Sequence, residues 1–161
     1  MTKDVLTRRE LLASFAKAAA ASLAIGALLP VDAHATGATK ITVYKDPSCG
    51  CCTKWVDHLR ASGFTPTVHD RTDMDALKDS LGVPGSLRSC HTAVVGKFVV
   101  EGHVPAKDVK ALLARAPKGV VGIAVPGMPA GSPGMEVPGR KDKYDVTAFS
   151  AGGKTSVFAR H

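Results

Sequence analysis

Three of the four cysteines fall in one tetrapeptide, Cys49-Gly50-Cys51-Cys52, and the fourth, Cys90, stands directly before His91. Sulfur at this density pairs as disulfide, attacks as thiolate, or binds a soft metal. Cys49 and Cys52 make a C-x-x-C pair. At a strand-to-helix junction such a pair meets free N–H groups and the positive end of the helix dipole, which lower a thiol pKa. Cys51 separates the uses. Dithiol exchange needs one attacking and one resolving sulfur, and a third between them invites wrong pairings. A soft-metal site gains from each added thiolate, because Cu(I) and Zn(II) both bind sulfur strongly. Two structural disulfides are the bland alternative, but adjacent cysteines and a C-x-C pair are poorly spaced for unstrained bridges to each other.

Other soft or titratable groups surround this set. His91, next to Cys90, is placed either to ligate through imidazole or to orient Cys90 by a hydrogen bond. His103 precedes the last predicted helix. Met128 and Met135 recur as Pro126-Gly127-Met128 and Pro133-Gly134-Met135. Their thioethers suit Cu(I) where thiolates are oxidised or protonated, or else they are adaptable packing, and the loop could close over the cluster as a lid. Trp55 reads as core or as an apolar wall beside the site. His58 lies two turns along the helix and reads as solvated. His69 and His161 carry no special signal.

These residues need elements to hold them. Lys40–Tyr44 alternates and is β-branched, a strand that Asp46-Pro47-Ser48 breaks. From Cys51 to Ala61 a helical period carries Cys52, Val56 and Leu59, and Ser62-Gly63 stops it. Phe64–His69 is a second strand, Met74–Leu81 a short helix, and Val83–Ser89 a loop leading to Cys90. Thr92–Val95 and Phe98–Glu101 make a hairpin through Gly96-Lys97, and a helix begins near Pro105 with Val109, Leu112 and Leu113 as its stripe. The order β-α-β-α-β-β-α is that of a thioredoxin-like α/β domain, a central mixed sheet flanked by helices. In that arrangement Cys90, just before the third strand, faces the cysteine helix. Gly122–Gly139 is too rich in glycine and proline for a helix or a sheet interior and reads as loop. Tyr144–Phe149 and Thr155–Phe158 read as an appended terminal hairpin.

Residues 1–35 read as an export signal: polar start, alanine- and leucine-rich run, then Pro30 and the small-x-small triplet Ala33-His34-Ala35. Thr7-Arg8-Arg9 followed by Leu11-Leu12 points to the twin-arginine type. The apolar run is short for a permanent span, which would leave no membrane attachment after cleavage and a periplasmic destination. What remains, 36–161, is one domain in length and long enough to need no disulfide staples. Removing the segment's four basic and three acidic residues takes the net charge from +7 to about +6. The basic residues are scattered rather than clustered with aromatics, which argues against nucleic acid.

Four stretches in register carry a resemblance: Asp46-Pro47-Ser48-Cys49-Gly50-Cys51-Cys52 with Trp55, Ser89-Cys90-His91-Thr92, Glu101-Gly102-His103-Val104-Pro105-Ala106, and the paired Pro-Gly-Met loop. Over nearly all of 36–161 the sequence resembles the CopG-like exported copper-resistance proteins, a family long catalogued as a domain of unknown function. The resemblance implies a thioredoxin-like fold and a place in periplasmic copper tolerance. It also implies copper held by Cys49, Cys51, Cys52 and Cys90, with the option of several ions bridged by shared sulfurs. Partners would be copper ions and other periplasmic copper-handling proteins. One departure from ordinary thioredoxins bears on activity: they carry a proline immediately before the third strand, where this chain has Cys90-His91-Thr92.

Two functions follow. One is a Cu(I)-binding protein, with redox cycling of the metal–thiolate site as an added activity. The other is a thiol–disulfide oxidoreductase using Cys49 and Cys52. Zinc is the lesser metal, since four sulfurs also suit tetrahedral zinc. The metal reading needs Cys51 and Cys90, and the dithiol reading survives without them.

Overall fold

The computed structural model describes residues 38–161. The export segment expected over residues 1–35 lies outside the described residues. Strands β1 (Thr39–Lys45) and β2 (Phe64–Asp70) are joined by helix α1 (Gly50–Ala61). After β2 come α2 (Met74–Ser80), a single 3-10 turn (Gly85–Leu87), and the strands β3 (His91–Val95) and β4 (Phe98–Glu101). Helix α3 (Ala106–Arg115) and strands β5 (Gly122–Ala124), β6 (Asp145–Phe149) and β7 (Thr155–Arg160) complete the chain.

All seven strands share one mixed sheet in the order β2-β1-β3-β4-β5-β6-β7. β1 and β2 run parallel, which requires the crossover that α1 supplies. β3 returns antiparallel to β1, with Lys45 opposite His91. β3 and β4 form the Gly96-Lys97 hairpin, with Thr92 opposite Glu101.

Alternation in the strands decides which side chains enter the core. Ile41 and Val43 of β1 are buried between solvent-facing neighbours. They pack with Trp55, Val56 and Leu59 of α1, Val109 and Leu112 of α3, and Val100, Ile123 and Val146 of the sheet. Val99, one residue from Val100, faces the other way into a smaller cluster with Val83, Leu87, Ala124 and Phe149. Both sheet faces are therefore covered near β4. Ser62-Gly63 closes α1 as the sequence suggests: the Ser62 N–H reaches the His58 and Leu59 carbonyls, and Gly63 adopts φ +86°.

Two sequence expectations need correction. Gly122–Gly139 is not loop throughout, because its first three residues form β5, parallel to β4. Glycine is what admits that strand. A Cβ at Gly122 would stand 2.3 Å from the Val99 carbonyl oxygen and 2.6 Å from the Phe149 ring. The terminal hairpin, in turn, is not an appendage. β6 pairs with β5 and β7 with β6, so both strands extend the central sheet. The chain reverses between them at Ser150, whose N–H bonds to the Lys154 carbonyl at 3.0 Å.

Gly122→Ala tests this joint. The added methyl must displace strand backbone or the buried Phe149 ring, so stability should fall by about 1–3 kcal/mol. The guanidinium midpoint measures it, and an unchanged midpoint would mean that β5 does not pack this closely.

Candidate metal centre

The cysteine turn is built by its own short hydrogen bonds. Asp46 accepts from the Ser48 N–H at 2.8 Å and from the Ser48 hydroxyl at 2.5 Å, and its carbonyl accepts the Cys49 N–H at 3.0 Å. The Ser48 bonds hold the Asp46 carboxyl below its ordinary pKa. Cys49 then occupies the N-cap of α1, and no side chain accepts from the first turn. The sulfurs thus sit at the positive end of a helix whose N–H groups lack a side-chain cap.

The four sulfurs converge. The Sγ atoms of Cys49, Cys51, Cys52 and Cys90 all lie within 4.8 Å of one another. Cys90 reaches the group because β3 lies beside β1, and it stands one residue before β3 begins. Cys49 and Cys52 are joined as a disulfide, with Cys51 and Cys90 remaining as thiols. Cys51 Sγ lies 3.6 Å from Cys49 Sγ. Burial, reinforced by the neighbouring Cys51, pushes the Cys90 thiol up to about 11.

Two histidines complete a second set of donors. The ligating atoms of Cys90, His91 and His103 also lie within 4.8 Å of one another. His103 Nδ1 lies 2.8 Å from the Pro133 carbonyl, which can only accept, so that nitrogen carries the proton. The Nε2 lone pair of the neutral ring therefore faces Cys90 Sγ at 3.1 Å. His91 is fully buried, with Nδ1 3.3 Å from Cys90 Sγ and Nε2 without any hydrogen-bond partner. Burial holds His91 well below its ordinary pKa, aided by His103 and Lys78, and burial also lowers His103. Both rings are thus kept neutral, the form that binds metal.

Trp55 forms the wall expected of it. It is fully buried, its ring centroid lies 4.3 Å from that of His91, and its Nε1–H donates to the Val104 carbonyl at 2.8 Å. The Pro/Gly/Met loop lies directly on the cluster. A Cβ at Gly134 (φ +86°) would stand 2.8 Å from the Cys51 carbonyl oxygen and 2.9 Å from the Trp55 nitrogen. The loop also holds itself, with the Gly131 N–H bonded to the Met135 carbonyl and the Met135 N–H to the Ser132 carbonyl. Met135 is half-buried within it, whereas Met128 is 52% exposed.

His58 is a correction. It is half-buried rather than solvated, and its Nε2 accepts the Ala106 N–H at 3.0 Å, capping α3 from α1. His161 pairs with Asp108 at 2.8 Å, and His69 stacks on Tyr44. None of these three joins the sulfur group. A cleft of about 510 Å³ lined by Tyr44, Pro47 and residues 69–73 contains no cysteine. The sequence reading passed over Lys78 and Glu101 as a buried pair. Lys78 Nζ lies 2.5 Å from Glu101 Oε1, and Glu101 also accepts the Ser89 N–H at 2.6 Å.

The donor chemistry suits a soft metal. Four sulfurs share one small volume, two buried imidazoles meet them at Cys90, and Cys49 and Cys52 become available once their disulfide is reduced. Fold and site together define an α/β protein with a soft-donor cluster where α1 meets the end of β1 and the start of β3. A family model described as a protein of unknown function, DUF411, matches residues 87–135. Two solved structures of copper resistance protein CopG, forms 1 and 2, are 50% identical to this chain. They cover 76% of this chain and 97% and 98% of their own, with TM-scores of 0.72 and 0.73. No curated protein matches. The chain belongs to the CopG-like family of copper-resistance proteins.

Gly134→Ala tests the seating of the loop. The methyl group has backbone on two sides, so the loop must lift from Cys51. Alkylation of Cys51, followed by mass spectrometry, should accelerate by about tenfold as exposure rises. An unchanged rate would show that the loop does not cover the thiol.

Proposed function

We propose that this chain is an exported, thioredoxin-like Cu(I)-binding protein of copper tolerance, with Cys49, Cys51, Cys52 and Cys90 as its metal ligands. The observation that carries this reading is the convergence of all four sulfurs within 4.8 Å, drawn from two separate stretches of chain. His91 and His103 stand next as imidazole donors or as groups that orient Cys90, and Met128 and Met135 as thioether donors from the overlying loop. The order β2-β1-β3-β4, with α1 crossing between parallel β1 and β2, supports the thioredoxin-like assignment. Export to the periplasm rests on the residue 1–35 pattern and on the copper-resistance role named for the two similar structures. No helix among the described residues is long and apolar enough to cross a membrane.

When bound, copper would supply a thiolate-stabilised one-electron couple, so redox cycling of the site belongs to this reading. The chain's part is to gather neutral and anionic soft donors, keep the histidines unprotonated, and cover the sulfurs with the loop. Several ions bridged by shared sulfurs fit four thiolates packed this closely, and other copper-handling proteins would be the donors or acceptors. Zinc is the lesser alternative.

The Cys49–Cys52 disulfide favours a second reading, dithiol–disulfide exchange. The two are separable. Reduction by a dithiol transfers two electrons and two protons to Cys49 and Cys52 and oxidises the dithiol to its own disulfide. Anaerobic Cu(I) titration of residues 36–161 so reduced, against a competing chelator, should show tight uptake of more than one copper per chain. Cys51→Ser or Cys90→Ser should weaken it by at least about tenfold, each removing a strong soft donor. The oxidised protein should bind less. Uptake indifferent to both substitutions would overturn the copper reading in favour of dithiol exchange.

A further inference from the structure

We infer that Glu101 is a positioning residue for the cluster, acting through Ser89 to fix both Cys90 and the Pro/Gly/Met loop. This role rests on the copper reading only for its purpose, since the geometry is independent of any metal.

Glu101 lies fully buried at the end of β4 and spends its acceptor capacity on three groups. Oε1 takes Lys78 Nζ at 2.5 Å and the Ser89 N–H at 2.6 Å, while Oε2 takes the Thr92 hydroxyl at 2.6 Å. Lys78 Nζ also donates to Thr92 Oγ1 at 2.9 Å, closing a triangle. Lys78 is buried too, on a short helix with no other buried side chain. The carboxylate is therefore held from α2 and β3 and presents one remaining function to the loop before β3: acceptance of the Ser89 N–H.

Ser89 passes this placement on in two directions. The next residue is Cys90, and the Ser89 hydroxyl donates to the Gly127 carbonyl at 2.6 Å, pinning the loop next to Met128. A second contact fixes Ser89 from the other side. A Cβ at Gly102 (φ +72°) would stand 2.7 Å from Ser89 Cβ and 2.6 Å from the Val125 carbonyl oxygen, so only glycine lets the strand end press this close. Gly102 also donates its N–H to the His91 carbonyl at 2.9 Å. Cys90 is thus bracketed by residues tied to Glu101-Gly102.

Stability alone does not call for this arrangement. A buried ion pair seldom outperforms well-packed apolar side chains of the same volume, since desolvation offsets the attraction. What an apolar pair cannot do is accept the Ser89 N–H.

That difference supplies the test. Lys78→Met/Glu101→Gln removes both charges and keeps an acceptor for Ser89, and Lys78→Met/Glu101→Leu removes the acceptor as well. In metal-free protein with the Cys49–Cys52 disulfide intact, Cys90 alkylation by iodoacetamide should rise about tenfold in the Leu double variant. The Gln double variant should stay within about threefold of wild type, because thiol reactivity follows exposure. Thr92→Val, a milder loosening of the carboxylate, should give an intermediate rise and serves if the Leu double variant does not fold. In the reduced proteins, Cu(I) affinity should fall as alkylation rises, most in the Leu double variant and least in the Gln double variant. A Leu double variant that folds and protects Cys90 like wild type overturns the proposal. So does a Gln double variant that exposes Cys90 equally. If wild type takes up no Cu(I), the copper reading fails, while the alkylation contrast still decides the role of Glu101.

Discussion

The structure depends on one register. With Lys45 opposite His91, the end of β1 and the start of β3 lie side by side, and the chain next to that pair carries all four cysteines. Cys49 follows β1 by one tight turn, and Cys90 precedes β3 by one residue. A slip of one residue would turn every side chain of β3 to the opposite face, taking His91 out from under Trp55. The register is secured where a sheet secures it best, in the buried alternation of Val43, Ala93 and Val95. The site inherits its geometry from that core and not from the sulfurs, which belong to a turn and a loop.

From the register follows an unusual concentration of polar groups in the interior. His91, His103, Thr92, Glu101 and Lys78 are all buried around the start of β3 and the end of β4. Each costs desolvation, and all but one nitrogen are satisfied: His91 Nε2 alone among the described side chains is buried without a partner. An unpaired buried imidazole nitrogen is expensive in an apolar core, and cheap where a soft cation takes its lone pair. The same holds for the sulfurs. Packed within one small volume, thiolates would repel one another, so a reduced cluster resists ionising unless a cation or a disulfide relieves it. The Cys49–Cys52 bond and a bound metal are two answers to one electrostatic problem.

The elements positioning the site were legible because their signals are local. The β-branched alternation of β1, the apolar stripe of α1 with its Ser62-Gly63 stop, and the Gly96-Lys97 turn all appear as the sequence pattern states them. The cysteines were legible by type and spacing. What escaped depends on partners distant in the chain. His58 looked solvated because its acceptor role is defined by the Ala106 N–H, 48 residues on. Lys78 drew no notice because Glu101, its buried partner, lies 23 residues away. β5 was hidden for the opposite reason: glycine at 122 reads as a loop signal, although the missing Cβ is what lets Val99 and Phe149 approach. Local composition reports the conformational freedom of a glycine and is silent on close approach.

The overlying loop shows how these levels join. A segment so rich in glycine and proline has little internal structure to fix it, so its position must come from what it touches. Three contacts supply that position: the Pro133 carbonyl on His103, the Gly134 backbone on Cys51 and Trp55, and the Gly127 carbonyl on Ser89. Each contact falls on a residue that is, or adjoins, a member of the cluster. Anything that shifts the cysteine turn or the Ser89–His91 segment must therefore also shift the loop, and the reverse. Cover and cluster are in this sense one unit.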